Sequence, residues 1–325
     1  MNLGQGFPDE DGPAEVLAAA AAAIAVVYPH MNALGGDGFW LIHEPGKPPI
    51  AIDACGPAAA LASADFYAGE SHIPERGPQA ALTMAGTIGG WQEALNVAAQ
   101  WGSALPLTTL LADAIRHADE GVAVSQSQEA LTAKHLARLG QSPGFNEAFL
   151  LDGKVPREGE RLRQPRLART LERLASAGLD DFYRGELAAS MAQDLAALGS
   201  PLRLEDFHAY RAQQVTPLQV QVQDATLYNL PAPTQGMASL MILGIYERLK
   251  AAEPNGFEHL HGLIEATKRT FMLRDSHVTD PQRVPAPLQS LLSAERLAEE
   301  AAAIDPASAL PWQAVQRPAT LRCWH

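Results

Sequence analysis

Cysteine is scarce. Cys55 and Cys323 are the only two in 325 residues. That excludes a disulfide framework and any CxxC zinc or redox motif, and it predicts two unlinked thiols in a reducing compartment. Positive charge is also short. Lys and Arg number 24 against 37 Asp and Glu, for a formal net charge of −13. Nucleic-acid binders carry a basic stripe, and anionic membrane surfaces attract basic segments, so neither partner is expected. Long apolar runs are missing too. The stretch from Val16 to Tyr28 is mostly alanine and falls short of the roughly 20 residues a membrane span needs. Asp9, Glu10 and Asp11 stand where a secretion signal would be basic, so the expected location is cytoplasmic. What is present is ordinary globular composition, with 47% hydrophobic and 19% charged residues, enough chain for one large domain or two small ones.

Helical patterns dominate. Pro13 suits a first helical turn, and Ala14 to Val27 follow with good helix formers. Residues 28–38, with one proline and three glycines, read as a loop. Phe39–His43 and Ile50–Ala54 read as two strands of a hairpin with a long turn. Helices are predicted over Trp91–Trp101, Leu107–Glu120, Gln164–Ala177, Gly185–Leu198, Met237–Leu249, His259–Arg274 and Ala294–Ala303, with a short start at Leu204–Phe207. Gly121 and Gly178 are placed to stop two of them. Val215–Val222 and Ala225–Asn229 alternate as a second hairpin. The tail from Asp305 onward reads as irregular. Few strands in so long a chain suggest that others come from a separate polypeptide.

Chemical motifs of the common kinds are weak. Gly35-Gly36-Asp37-Gly38 precedes a strand and opens no helix, so it is no phosphate cradle. The glycines serve either close backbone packing or an open loop beside a substrate pocket. Ten histidines are scattered without HExxH or metal-ligand spacing, so no metal is expected. There is no GxSxG elbow, and nothing points to a Ser/His/Asp triad. Residues 1–22 locally resemble the start of an aminotransferase through Asn2-Leu3-Gly4-Gln5-Gly6-Phe7-Pro8-Asp9. None of Lys47, Lys134, Lys154, Lys250 and Lys268 lies in a recognisable cofactor loop, so no cofactor is expected.

From about Ala23 to His325 several blocks appear in a telling order: Tyr28-Pro29-His30-Met31-Asn32 with Leu34-Gly35-Gly36-Asp37-Gly38-Phe39, Gly86-Thr87-Ile88-Gly89-Gly90-Trp91, Leu107 to Gly121, Asp181-Phe182-Tyr183-Arg184-Gly185, Leu204-Glu205-Asp206-Phe207-His208-Ala209-Tyr210, and Leu230-Pro231-Ala232-Pro233-Thr234-Gln235-Gly236. In this order they resemble the large subunit of the γ-glutamyltransferase family. The Tyr-Pro-His-Met form is similar to its oxamate amidohydrolase-like branch.

The resemblance implies an α+β fold, helix-rich with few strands, as the large-subunit part of an αββα N-terminal-nucleophile hydrolase sandwich. It divides the chain into an atypical segment, 1–22, and a family domain, 23–325. It implies a precursor that cleaves itself, and a threonine that begins the small subunit and attacks a small amide. No catalytic nucleophile is expected in this chain, since Thr320 has only five residues after it. The small subunit and an amide are the implied partners, with a higher oligomer a further expectation. Typical members place an arginine after the second strand to bind a substrate carboxylate. Here Ile52-Asp53-Ala54-Cys55-Gly56-Pro57 holds none, which removes bidentate guanidinium recognition there. Asp53 and Cys55, with Gly35, Gly36 and Asp37, are the expected substrate-binding residues. The alternative is an inactive remnant that only folds or binds.

Overall fold

The computed structural model describes residues 14–102, 105–250 and 255–311. Among these the elements are α1 (Ala14–Val27), β1 (Gly38–Ile42), β2 (Ile50–Ala54), α2 (Thr87–Ala99), α3 (Leu107–Leu110), α4 (Ala112–Glu120), β3 (Val122–Ala123), α5 (Gln126–Leu139), α6 (Phe145–Phe149), β4 (Arg161–Leu162), α7 (Pro165–Ala177), α8 (Asp181–Arg184), α9 (Glu186–Ala197), α10 (Leu204–Ala209), β5 (Gln213–Val215), β6 (Leu218–Val222), β7 (Ala225–Asn229), α11 (Gly236–Leu249), α12 (Phe257–His277) and α13 (Ala294–Ala302). The class is α+β, helix-rich with short strands. The strands form three small sheets, ordered β1-β2-β5, β3-β4 and β6-β7. Cys323, Thr320, the aminotransferase-like start and the tail beyond Pro311 lie outside the described residues.

Two compact units are interleaved along the chain. The first comprises residues 14–40 and 53–213, the second residues 41–52 and 214–311. In the first, the alanine-rich helix α1 buries Ala22, Ala25 and Val26, and α2 buries Ile88 and Trp91. They share one core with Ala114 and Ala118 of α4, Leu171 and Leu174 of α7, and Phe182 and Phe207. Small alanine faces let helices approach closely, and that burial is the main stabilising term. α7 shows how local signals and packing agree. Pro165 opens it, and Gly178 closes it at φ 95°. Its buried residues Ala168, Leu171 and Leu174 recur at a spacing of three, so one stripe faces the core.

In the second unit, α11 buries Met237, Met241 and Ile245 with Leu218 and Val220 of β6, Ala266 of α12 and Leu297 of α13. β6 and β7 pair antiparallel, from Leu218–Asn229 to Val222–Ala225. Glu300, almost wholly buried, is held by Arg269 at 2.6 Å and Arg296 at 2.6 Å. A buried carboxylate needs such partners.

Three boundaries depart from the sequence reading. α2 begins at Thr87, not Trp91, so Gly89 and Gly90 are helical and not part of a preceding loop. The predicted helix Leu107–Glu120 is broken at Leu111, where ψ is −5°. The predicted strand Val215–Val222 is divided into β5 and β6 around Thr216 and Pro217, because proline cannot donate to a ladder. α5, capped by the Ser125 hydroxyl accepting from the Gln128 N–H, had no counterpart in the sequence reading.

Candidate functional site

The glycine loop is fastened to the start of α2. The Gly36 carbonyl accepts from the N–H groups of Gly86 and Thr87, each at 2.9 Å, and from the Thr87 hydroxyl at 2.8 Å. Two of the backbone donors at the helix N-terminus are thereby satisfied by the chain itself. The Thr87 hydroxyl is committed to this lock and stands 7% exposed. Gly36 is therefore a backbone anchor.

Asp37 follows directly. Its Oδ1 accepts from the Gly56 N–H at 3.1 Å. Asp53 is the penultimate residue of β2, its Oδ1 accepting from the Cys55 N–H at 2.9 Å. The structure thus brings Gly36, Asp37, Asp53 and Cys55 onto one wall. Gly35 lies in the same loop, exposed, and a methyl added there meets nothing within 4 Å. Packing gives its missing side chain no role.

Both acids are held above their ordinary pKa. For Asp37 the cause is burial, opposed by the Gly56 N–H. For Asp53 it is burial and then, past the opposing Cys55 N–H, the negative charge of Asp37. Desolvation disfavours the ionised form, and a like charge adds to it.

Two further residues of the family-like segments, Tyr183 and Tyr210, have no role legible in the sequence. Tyr183 of α8 donates its hydroxyl to the Ala85 carbonyl at 2.9 Å and accepts from the Gly89 N–H at 2.8 Å. Tyr210, just past α10, packs on it with ring centroids 5.0 Å apart. Tyr210 is 4% exposed, and its buried hydroxyl has no hydrogen-bond partner. Burial pushes both phenols well above their usual range. Arg184 Nη2 donates to the Tyr210 carbonyl at 2.5 Å, and Arg184 also pairs with Asp180. The signal that could have flagged these tyrosines is chemical: a phenol in a core has to satisfy its hydroxyl.

Glycines make the close approach possible. A Cβ at Gly89 would stand 2.9 Å from the Tyr210 ring, and one at Gly90 would stand 2.9 Å from both the Ala54 Cβ and the Trp40 ring nitrogen. Glycine lowers helix propensity by about 1 kcal/mol, and here the packing of the wall against α2 overrides that cost.

Elsewhere in this unit His30 Nε2 lies 3.1 Å from the Ser127 hydroxyl. The other ring nitrogen, Nδ1, is buried without a partner, so no carboxylate orients the imidazole, as a triad requires. The wall carries two carboxylates and the Cys55 side chain, with the Thr87 hydroxyl already engaged and both phenols buried.

Similarity to known proteins agrees with this geometry. The family model described as gamma-glutamyltranspeptidase matches residues 13–322. The oxamate amidohydrolase proenzyme of Klebsiella pneumoniae is 56% identical over 299 residues, covering 92% of this chain and 57% of that protein. The glutathione hydrolase-like YwrD proenzyme of Bacillus subtilis is 36% identical over 299 residues, covering 90% and 56%. The chain therefore spans little more than half the length of these relatives. The gamma-glutamyltranspeptidase of Pseudomonas nitroreducens, solved with L-DON, superposes with a TM-score of 0.83 at 30% identity, covering 94% of this chain and 91% of that one. The Helicobacter pylori gamma-glutamyltranspeptidase shares the fold, with a TM-score of 0.85 at 23% identity, covering 96% and 90%. With its glycine loop, β2 turn and α2 start locked together as described, and with the family model matching nearly its whole length, this chain belongs to the γ-glutamyltranspeptidase family of N-terminal-nucleophile hydrolases.

Proposed function

We propose that this chain is the large-subunit portion of an amidohydrolase that cleaves a small amide, with the attacking threonine carried by the remainder of the same precursor. The observation that carries this reading is the 56% identity over 92% of this chain to a proenzyme of which the match covers 57%. The wall agrees, because its one engaged threonine, Thr87, gives its hydroxyl to Gly36 and is not poised to attack.

The chemistry follows from the N-terminal threonine. Its oxygen adds to the amide carbon while its own α-amine takes the hydroxyl proton. An α-amine titrates near 8, so it accepts a proton close to neutrality. The C–N bond then breaks, and the proton leaves with the departing ammonia or amine. Water cleaves the acyl-enzyme in the second half. This chain contributes the wall. Asp53 and Cys55 line the pocket, and Asp37 holds the following Gly56 N–H. The segment from Ile52 to Pro57 holds no arginine, which favours a compact amide over a γ-glutamyl peptide.

The test is to express the full precursor and this chain side by side. The precursor should split into two chains and release ammonia from oxamate, with γ-glutamyl anilides turned over far more slowly. This chain alone should do neither. An uncleaved precursor without amide hydrolysis would overturn the reading, and so would turnover by this chain alone.

A further inference from the structure

After α13 the second unit runs on through a strap, residues 304–311, with little packing of its own. Residues 305–309 and 311 are exposed, and Ile304 and Leu310 are only half-buried. A cavity of about 140 Å³ lies beneath, lined by Glu265 and Arg269 of α12 and by Ile304, Asp305 and Leu310 of the strap. Apolar burial therefore contributes little here, and polar side chains of α12 do the fastening. The His261 ring Nε2 donates to the Asp305 carbonyl at 2.8 Å. Lys268 Nζ donates to the Leu310 carbonyl at 3.0 Å, and the Leu310 N–H donates to Glu265 Oε2 at 3.0 Å. Lys268 Nζ also donates to Glu265 Oε1 at 2.7 Å. One ion pair thus grips both main-chain groups of a single strap residue. His261, Glu265 and Lys268 stand at i, i+4 and i+7, on one face of the helix. The side chains of Glu265 and Lys268 are only 3% and 17% exposed. A buried ion pair gains little stability over apolar residues of similar size, and its best-attested use is to fix register. The register fixed here is that of the strap on α12.

We propose that Glu265 and Lys268 are positioning residues for self-cleavage of the precursor: by clamping Leu310 they fasten the chain that leads to the scissile peptide. This rests on the amidohydrolase reading above, in which the threonine follows on the same chain, beyond the strap. In the cleavage the threonine hydroxyl adds to the carbonyl carbon of the peptide before it. The C–N bond breaks, and the hydroxyl proton passes to the freed amine. Water then splits the resulting ester into a carboxylate and the restored hydroxyl. Glu265 and Lys268 take no part in these steps. All the reacting atoms belong to one chain, so the rate depends on how well that chain presents the peptide. Misplacement by about 1 Å costs on the order of a hundredfold in reactions governed by proximity. Releasing Leu310 frees the strap and with it the approach to the scissile peptide.

The test combines Glu265→Met with Lys268→Met in the full precursor. This swaps the buried pair for apolar residues of similar size, a change that leaves folds standing, so the melting temperature should stay near the wild-type value. Hydrogen exchange in the peptide covering residues 305–311 should quicken. Self-cleavage, followed as the fraction of split chain against time, should slow about tenfold or more. Arg269→Met is the control. It removes the donor to Glu300 at 2.6 Å on the same helix, leaves Arg296 on Glu300 and does not touch the Leu310 clamp. It should lower the melting temperature and cleave at the wild-type rate. A double variant that cleaves as fast as the wild type overturns the proposal, even if its strap exchanges faster. An equal slowing in Arg269→Met also overturns it, because the rate would then follow stability alone. Both outcomes leave the amidohydrolase reading standing, whereas a wild-type precursor that never splits overturns that reading and the role of the clamp with it.

Discussion

Gly56→Ala should destabilise the first unit more than other single-methyl additions to the site. The new Cβ would lie 1.5 Å from the Met84 carbonyl oxygen, 2.4 Å from its carbon and 2.9 Å from its Cα. All three are backbone atoms, so no rotamer relieves the collision. The segments cannot simply part, because the Met84 N–H donates to the Pro57 carbonyl at 2.9 Å and the Gly56 N–H to Asp37. Overpacking a core costs about 1–3 kcal/mol where side chains can yield, and here backbone must yield. We expect a fall in melting temperature on the order of 10 °C in the full precursor. Gly35→Ala is the control, since its methyl meets open space. A Gly56→Ala protein that melts together with Gly35→Ala would contradict the packing described here.

The second large effect is at Asp181. Its side chain is 7% exposed and salt-bridged to Arg173. Arg173 donates to both its oxygens, at 2.8 and 3.0 Å, and the N–H groups of Glu186 and Leu187 donate to it at 3.2 and 3.3 Å. It thus joins α7 to α8 and serves the first turn of α9. Asp181→Ala strands four donors at once, and we expect a loss of about 2–4 kcal/mol. Arg173 is itself 39% exposed, so water recovers part of its loss, and the estimate stays below that for a fully buried pair.

The same residue sets a pH dependence. The Arg173 hydrogen bonds hold the Asp181 carboxyl below the usual range against the opposing effect of burial. A depressed folded pKa contributes stability in full above the unfolded value, near 4, and that contribution fades as pH falls through the folded value. The stability gap between wild type and Asp181→Ala, read from denaturant titrations, should therefore be constant at neutral pH and shrink in acid. A gap independent of pH down to strong acid would rule this out. Asp37 and Asp53 carry the opposite sign. Their folded pKa values are raised, so they weaken the fold as pH rises through that window, a cost compatible with a role in binding.

Several features were legible without coordinates. α1 ends at Val27, just before Tyr28-Pro29, as the sequence predicts. Gly121 and Gly178 close α4 and α7 at φ 89° and 95°, a conformation that glycine adopts without strain. Gly36 and Asp37 could be named from the ordered family blocks, and Asp53 and Cys55 from the segment Ile52–Pro57 at the second strand. The start of α2 could not be read, because Gly89-Gly90 looks like a helix breaker until Tyr210 and Trp40 are seen pressing on those positions. The roles of Tyr183 and Tyr210 were equally hidden. Tyr183 reaches Ala85 across 98 residues of chain, and no local pattern reports a partner that distant.

The amino-acid order by itself determined the helix-rich class, most element positions and the family, since these depend on propensities, caps and block order within a few neighbouring residues. Only the tertiary structure decided that Gly36 would bind the start of α2, that Asp37 would hold Gly56, and that the Tyr210 hydroxyl would be sealed against Gly86 without a partner. Those outcomes depend on excluded volume and on hydrogen bonds between segments far apart in the chain, where one methyl or one donor tips the balance.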